Sequence, residues 1–105
     1  VVEQVLGLLG AIVLRHPHHA DDLAQLGTFR AAVDAMQALE GAGGVQRQGC
    51  MFIRNAVARS EVARKAALEA GAEAVVRRAR SQHPKPCSDV GSACLRDLGL
   101  DYHTQ

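Results

Sequence analysis

The segment RHPHHADD, residues 15–22, holds the densest set of potential metal ligands, with three histidines and two aspartates. A zinc site needs three or four His, Cys or carboxylate ligands in tetrahedral geometry. His18 and His19 are adjacent and Pro17 stiffens the chain, so at most a partial two-histidine site could form here. The pattern is more typical of a polar loop between helices. We therefore expect no metal site and no cofactor.

Cysteine chemistry is the second possibility. The chain has three cysteines, Cys50, Cys87 and Cys94. Because their number is odd and no CxxC pair occurs, the pattern favours reduced thiols in a cytosolic or nuclear protein. Cys50 with His83 would be a nucleophile and base only if an adjacent group lowered the pKa of the thiol, and no such group is evident. The Gly-rich EGAGG lacks the Lys-Ser/Thr of a phosphate loop. The sequence therefore predicts a protein that is not an enzyme.

Charge is uneven along the chain although the formal net charge is only +1. Residues 54–85 hold eight Arg or Lys against three Glu, a net of +5, whereas residues 1–53 and 86–105 are each at −2. RRARSQHPK, residues 77–85, resembles a basic patch. It lacks the stacking aromatics that RNA binding usually requires. RNA or another polyanion is therefore the alternative partner, and a protein is the expected one.

The elements that must position these residues are helices. Apolar residues make up 48% of the chain and aromatics 3%, so the core is built from Ala, Val and Leu. The longest uninterrupted apolar run, residues 5–14, is half of what a bilayer span requires, and no membrane association is expected. Because the chain begins inside this helical pattern, we expect it to be part of a longer protein.

A period of 44 or 42 residues organises these helices. LGAIVLR (9–15) matches IRNAVAR (53–59), Gly27 matches Gly71, and LRDLG (95–99) continues the series. Each unit contains two helices joined at the Gly, a break rich in Gly or Pro (40–44 and 83–86), and a longer third helix. The predicted order is a third helix at 1–15, units at 18–59 and 60–99, and a tail at 100–105. Such units bury their apolar faces by stacking.

This organisation resembles the armadillo repeat family. The resemblance rests on the period, the three-helix unit and the Gly between the first two helices. It also rests on the ending Ile53-Arg54-Asn55 of the third helix. CMFIRNAVARS, GAEAVVRRARS and ACLRDLG extend it over residues 45–100, with a weaker match over 1–40. The resemblance implies an all-α, right-handed superhelical solenoid. Its third helices would line a concave groove that binds extended peptides.

The resemblance also implies which residues bind. In importin alphas, an Asn late in helix three clamps the ligand backbone and a Trp one turn earlier contacts its side chains. Asn55 and Met51 stand at these positions here, and Asp97 and Ala93 at those of the next unit, so the specificity for nuclear localisation signals is not carried over. We expect an acidic or mixed extended segment to bind a strip of groove residues. These are Arg47, Gln48, Met51, Arg54, Asn55, Arg96 and Asp97.

Overall fold

The chain folds entirely into helices. The computed structural model describes residues 1–103, and within that range it contains seven α-helices and no strand, which confirms the all-α prediction. They are α1 (Val2–Arg15), α2 (His19–Gln25), α3 (Thr28–Ala38), α4 (Gly43–Val57), α5 (Glu61–Ala70), α6 (Ala72–Gln82) and α7 (Pro84–Asp97).

Two of the predicted turns lie where Gly permits a backbone that other residues rarely adopt. Gly27 has φ 76° and Gly71 has φ 96°, both in the left-handed region. Each separates a shorter helix from the one that follows it, α2 from α3 and α5 from α6. Because a side chain at either position would strain the backbone, Gly is the residue that lets these helices meet at a tight turn.

The predicted breaks are shorter than expected. Helix α4 already begins at Gly43, and α7 begins at Pro84, so most of the segment 83–86 is helical. Proline is tolerated in the first helical turn because the N–H that it lacks would have no partner there. At the other end, α4 stops at Val57. Of the predicted tail 100–105, Thr104 and Gln105 lie outside the described residues.

Ser60 and Asp21 lie near the starts of α5 and α2 but have different roles there. Ser60 caps α5, since its hydroxyl accepts a hydrogen bond from the backbone N–H of Ala63 at 3.0 Å. The same hydroxyl contacts a carboxylate oxygen of Asp21. Asp21 itself is not a cap, because α2 begins two residues earlier at His19 and places Asp21 in its first turn. A negative charge there still stabilises the positive end of the helix dipole.

The helices pack against one another in three groups. Helix α4 lies between α1 and α7, α2 packs against α5, and α3 packs against α4, α5 and α6. Phe29 of α3 and Phe52 of α4 stack in the core with ring centroids 5.2 Å apart. Helix α4 carries a buried apolar stripe that consists of Val45, Phe52, Ile53, Ala56 and Val57. Helix α4 is therefore the central element of the fold.

Candidate functional site

The structure divides the predicted strip between two seams of α4. Gln48 and Asn55 face α1, whereas Arg47, Met51 and Arg54 face α7. The amide nitrogen of Asn55 donates to the carbonyl oxygen of Gly10 at 3.3 Å, and only 8% of Asn55 is exposed. The Gln48 side chain lies beside Gly7, where an added Cβ would be 3.3 Å from its amide oxygen.

Asn55 thus has a different contact from the one expected of it. The sequence suggested that its amide meets the backbone of a ligand, and in the structure it meets the backbone of α1. A buried side-chain amide that lost this acceptor would carry an unpaired donor, which costs free energy. Asn55 therefore fastens α1 to α4. A role for it in ligand binding stays a prediction.

The other half of the strip lines an open groove between α4 and α7. This groove has a volume of about 390 Å³. Helix α4 contributes Arg47, Met51 and Arg54, which are half-buried or exposed. Helix α7 contributes Lys85, Pro86, Asp89, Val90 and Ala93. Three of the seven predicted residues are therefore brought together with five that face them across the seam.

The groove combines positively charged side chains with a smaller amount of apolar surface. Arg47, Arg54 and Lys85 carry three positive charges; Asp89 is the carboxylate among the lining residues, and the carboxylate of Asp97 lies 3.7 Å from Arg54. Met51 and Val90 supply apolar surface between the charges. Guanidinium and ammonium groups form their strongest hydrogen bonds with carboxylates and phosphates. The arrangement can therefore attract an acidic group while an apolar side chain packs beside it.

Arg96 and Asp97 form an ion-pair cluster with Arg54 near the last turn of α7. Asp97 accepts from Arg96 at 3.1 Å, and its second oxygen lies 3.7 Å from the Arg54 Nε. The sequence predicted that Arg54 and Arg96 together would hold an acidic ligand. In the structure both already hold an acidic side chain of the chain itself.

The sequence did not lead us to predict Lys85, Pro86 and Asp89 as groove residues. Lys85 and Pro86 fell in a segment interpreted as a break, although they belong to the first turn of α7. The available signal was the spacing of four between Lys85 and Asp89, which places both on one face once the helix is extended to Pro84. Proline near the start of a helix is compatible with that extension.

The three cysteines lie buried in the core beside this seam. Burial raises the pKa of Cys50 to about 12, with a further contribution from Cys87. Burial also raises the pKa of Cys94 well above its usual value, and it raises that of Cys87 against the opposing effect of Arg47. Since the thiolate is the reactive form and all three thiols are buried, we expect them to react slowly in the folded chain.

We accordingly expect iodoacetamide at pH 8 to modify the native chain far more slowly than the urea-unfolded chain. A thiol whose folded pKa is raised holds its proton in the native state after the unfolded state has lost it. The stability that the pKa shift of Cys50 contributes is therefore fully present below the unfolded pKa near 9. It is lost as the pH rises towards the folded pKa of about 12. Mass spectrometry counts the adducts; equal rates in both states would contradict buried thiols.

The histidine-rich segment forms a cluster of rings and not a ligand set. The centroids of His18 and His19 are 4.3 Å apart, and His16 lies 5.5 Å from His19. Across residues 1–103, no three His, Cys, Asp or Glu groups are placed to hold a metal ion. In the same part of the chain, no helix combines the length and the apolar character needed to cross a bilayer.

Comparison with known proteins does not assign this chain to a family. No family model, curated protein or solved structure matches this chain. The armadillo resemblance therefore rests on the residues that carry it.

The basic residues of α6 are engaged within the chain. Arg77 pairs with Glu73 at 3.0 Å and donates to the backbone carbonyl of Asp101 at 2.9 Å. Arg78 pairs with Glu40 at 3.2 Å. Arg80 is buried, and its guanidinium donates to the carbonyl of Tyr102 at 2.9 Å. The three side chains thus have acceptors of their own, and they do not form an open cationic patch.

Proposed function

We propose that the chain is a segment of an armadillo-type solenoid that acts as a non-enzymatic interaction scaffold, and that its α4–α7 groove binds an extended, acidic or mixed segment of a partner protein. The observation that carries the proposal is the composition of this groove. Arg47, Arg54 and Lys85 lie in one groove with Met51 and Val90, while Asp89 opposes them and Asp97 pairs with Arg54. The packing of α4 between α1 and α7 supports the solenoid part of the proposal.

The shape of the groove favours an extended ligand. Its volume of about 390 Å³ admits a few side chains and not a folded domain. Met51 has a flexible thioether side chain that adapts to different apolar partners. Acidic side chains of the ligand would meet the cations along the groove, while alternate apolar side chains would lie on Met51 and Val90.

Arg54 can exchange its present partner for a ligand at low cost. Its contact with Asp97 is 3.7 Å long, and 38% of the Arg54 side chain is exposed. The Asp97 side chain is 18% exposed, so the pair is only partly solvated, and its long separation keeps the expected contribution at about 1 kcal/mol. Asp97 therefore acts as an internal stand-in for a ligand carboxylate, which keeps Arg54 in place in the free protein.

Peptide selection followed by charge reversal tests this proposal. A random dodecapeptide library is selected on the immobilised chain, and a recovered sequence is synthesised with a fluorescent label. We expect recovered sequences to be enriched in Asp and Glu. We expect the Arg47→Glu/Lys85→Glu variant to bind the labelled peptide about tenfold more weakly, because two attractive contacts become repulsive. Both residues are exposed, so the fold should be unaffected.

The matched control is Arg15→Glu/Lys65→Glu, which changes the net charge equally at exposed positions on α1 and α5. It should bind the peptide almost as the parent does, and both variants should keep the parental helicity by circular dichroism. Recovered peptides without enrichment in Asp and Glu, or an equal loss of peptide affinity in the two variants, would show that the groove does not bind acidic segments.

The alternative partner, a polyanion such as RNA, is less favoured, because Arg80 is buried and one of the three arginines of α6 is thus removed from the surface. Polyuridylate in the same binding assay separates the two ideas. Phosphate binding weakens steeply with salt. Tight, strongly salt-dependent binding of polyuridylate that survives reversal of Arg47 and Lys85 would favour the alternative.

A further inference from the structure

The two ends of the α4–α7 groove differ in how their cations are engaged. A Cβ added at Gly43 would lie 3.3 Å from the His83 ring, so the first turns of α4 and α7 lie side by side. Near the last turns of the same helices, Arg54 lies 3.7 Å from Asp97. The two helices therefore run parallel. Arg47 lies towards the amino end of the groove and Arg54 towards its carboxyl end.

At the amino end, the cations are available to a ligand. Arg47 and Lys85 are both exposed, and among residues 1–103 no carboxylate forms an ion pair with either of them. Asp89 lines the same groove four residues after Lys85 without pairing with it. An acidic side chain that enters here gains contacts and displaces none. The amino end is therefore an open acidic subsite.

At the carboxyl end, the equivalent subsite is occupied by the chain itself. The Asp97 side chain is 18% exposed, and its two oxygens lie 3.1 Å from Arg96 Nε and 3.7 Å from Arg54 Nε. A ligand carboxylate at Arg54 would replace one carboxylate by another, so the number of ion pairs would not rise. Because Arg96 holds Asp97 in place, the incoming charge would also lie close to a like charge, which repels it.

We infer that Asp97 determines the specificity of the groove. It fills the acidic subsite at Arg54, so that a ligand is selected by one acidic group, at Arg47 and Lys85, and a second acidic group adds almost nothing. This inference rests on the function proposed above and narrows the ligand to segments with a single acidic position. Proteins commonly gain specificity from such a repulsive element as well as from attractive contacts.

Helix geometry fixes where a second acidic group of the ligand would have to stand. Arg47 and Arg54 are seven residues apart on α4, which is about 10.5 Å along the helix axis at about 1.5 Å per residue. An extended segment advances by about 3.3–3.6 Å per residue, so the two positions are about three residues apart in the ligand. Removal of the Asp97 charge should therefore create a preference for paired acidic residues at that spacing.

The test compares the parent chain with Asp97→Asn, which keeps the shape of the side chain and removes its charge. The probe is a labelled dodecapeptide recovered on the parent chain from the random library, resynthesised with Glu or with Gln three residues to either side of its acidic position. For the parent chain, we expect Glu and Gln to differ less than twofold in affinity by fluorescence anisotropy. For Asp97→Asn, we expect Glu to bind about fivefold more tightly on one side, because an ion pair is then made without loss of another.

The matched control is Asp34→Asn, which removes a carboxylate 3.7 Å from Arg30 on α3 and changes the net charge equally, outside the groove. It should distinguish Glu from Gln no better than the parent does. Asp97→Asn/Arg54→Gln should lose the fivefold gain, since the cation of the second subsite is then absent. All three variants should keep the parental helicity by circular dichroism.

Two results would overturn the inference. One is a fivefold preference for Glu in the parent chain, a measurement that needs no variant and stays informative if Asp97→Asn does not fold. The other is no preference for Glu in folded Asp97→Asn. In either case the proposed function would stand if Arg47→Glu/Lys85→Glu still weakened binding of the parental peptide. Failure of every library peptide to bind the parent chain would overturn both.

Discussion

Replacement of Phe52 by Ala should lower the free energy of unfolding by about 4 kcal/mol, the largest loss expected of a single side chain here. Phe52 is 0% exposed and stacks on Phe29 with ring planes 10° apart. Removal of the ring leaves a cavity between α3 and α4 that the surrounding helices cannot fully close. Urea denaturation followed by circular dichroism measures the loss.

Phe52→Leu keeps the experiment informative if the Ala variant does not fold, and it should lose about half as much because most of the volume remains. Met51→Ala is the matched control on the same helix. Its side chain is only half-buried, so a loss of about 1 kcal/mol or less is expected. Equal losses for Phe52→Ala and Met51→Ala would contradict the stacked core.

Replacement of Arg80 by Ala should lower the free energy of unfolding by about 3 kcal/mol, because a charged group loses its hydrogen bonds in a buried place. Arg80 is 2% exposed, and its guanidinium donates to the Ser92 hydroxyl at 3.2 Å and to the Tyr102 carbonyl at 2.9 Å. The same substitution should accelerate amide hydrogen exchange in residues 98–103. That segment is the one which Arg80 fastens to α6.

Arg78→Ala supplies the comparison for Arg80. It lies on the same helix, its side chain is 41% exposed, and its partner Glu40 is also exposed. The expected loss is therefore below about 1 kcal/mol, without a change in hydrogen exchange at residues 98–103. If both variants lost the same small amount, Arg80 would not act as a buried anchor.

The presence of the helices could be predicted from the sequence, because helix formation depends on local chemistry. Gly27 and Gly71 mark the turns, and the α4 stripe that contains Phe52 and Ile53 repeats at helical spacing. Both signals lie within one or two helical turns. The start of α7 was missed because a proline within a helix and a proline at its first turn look the same in the sequence, and only the backbone separates them.

The direction of polar side chains at the site could not be predicted in the same way. Asn55 and Arg54 are neighbours on α4, yet one reaches Gly10 of α1 and the other reaches Asp97 of α7. A helical wheel places them at one edge, whereas the spacing of α1 and α7 decides which seam each enters. Arg80 lies among basic residues in the sequence, and its burial depends on how residues 98–103 return across α6.

The central position of α4 has a consequence for how the chain folds. Helix α4 packs against α1, α3, α5, α6 and α7, whereas α2 lies outside this set and packs chiefly on α5. A folding nucleus forms where contacts made early support most of the others. Substitutions in α4 should therefore slow refolding, and those in α2 should mainly accelerate unfolding. The order of assembly would thus run outward from α4, with α2 joining last.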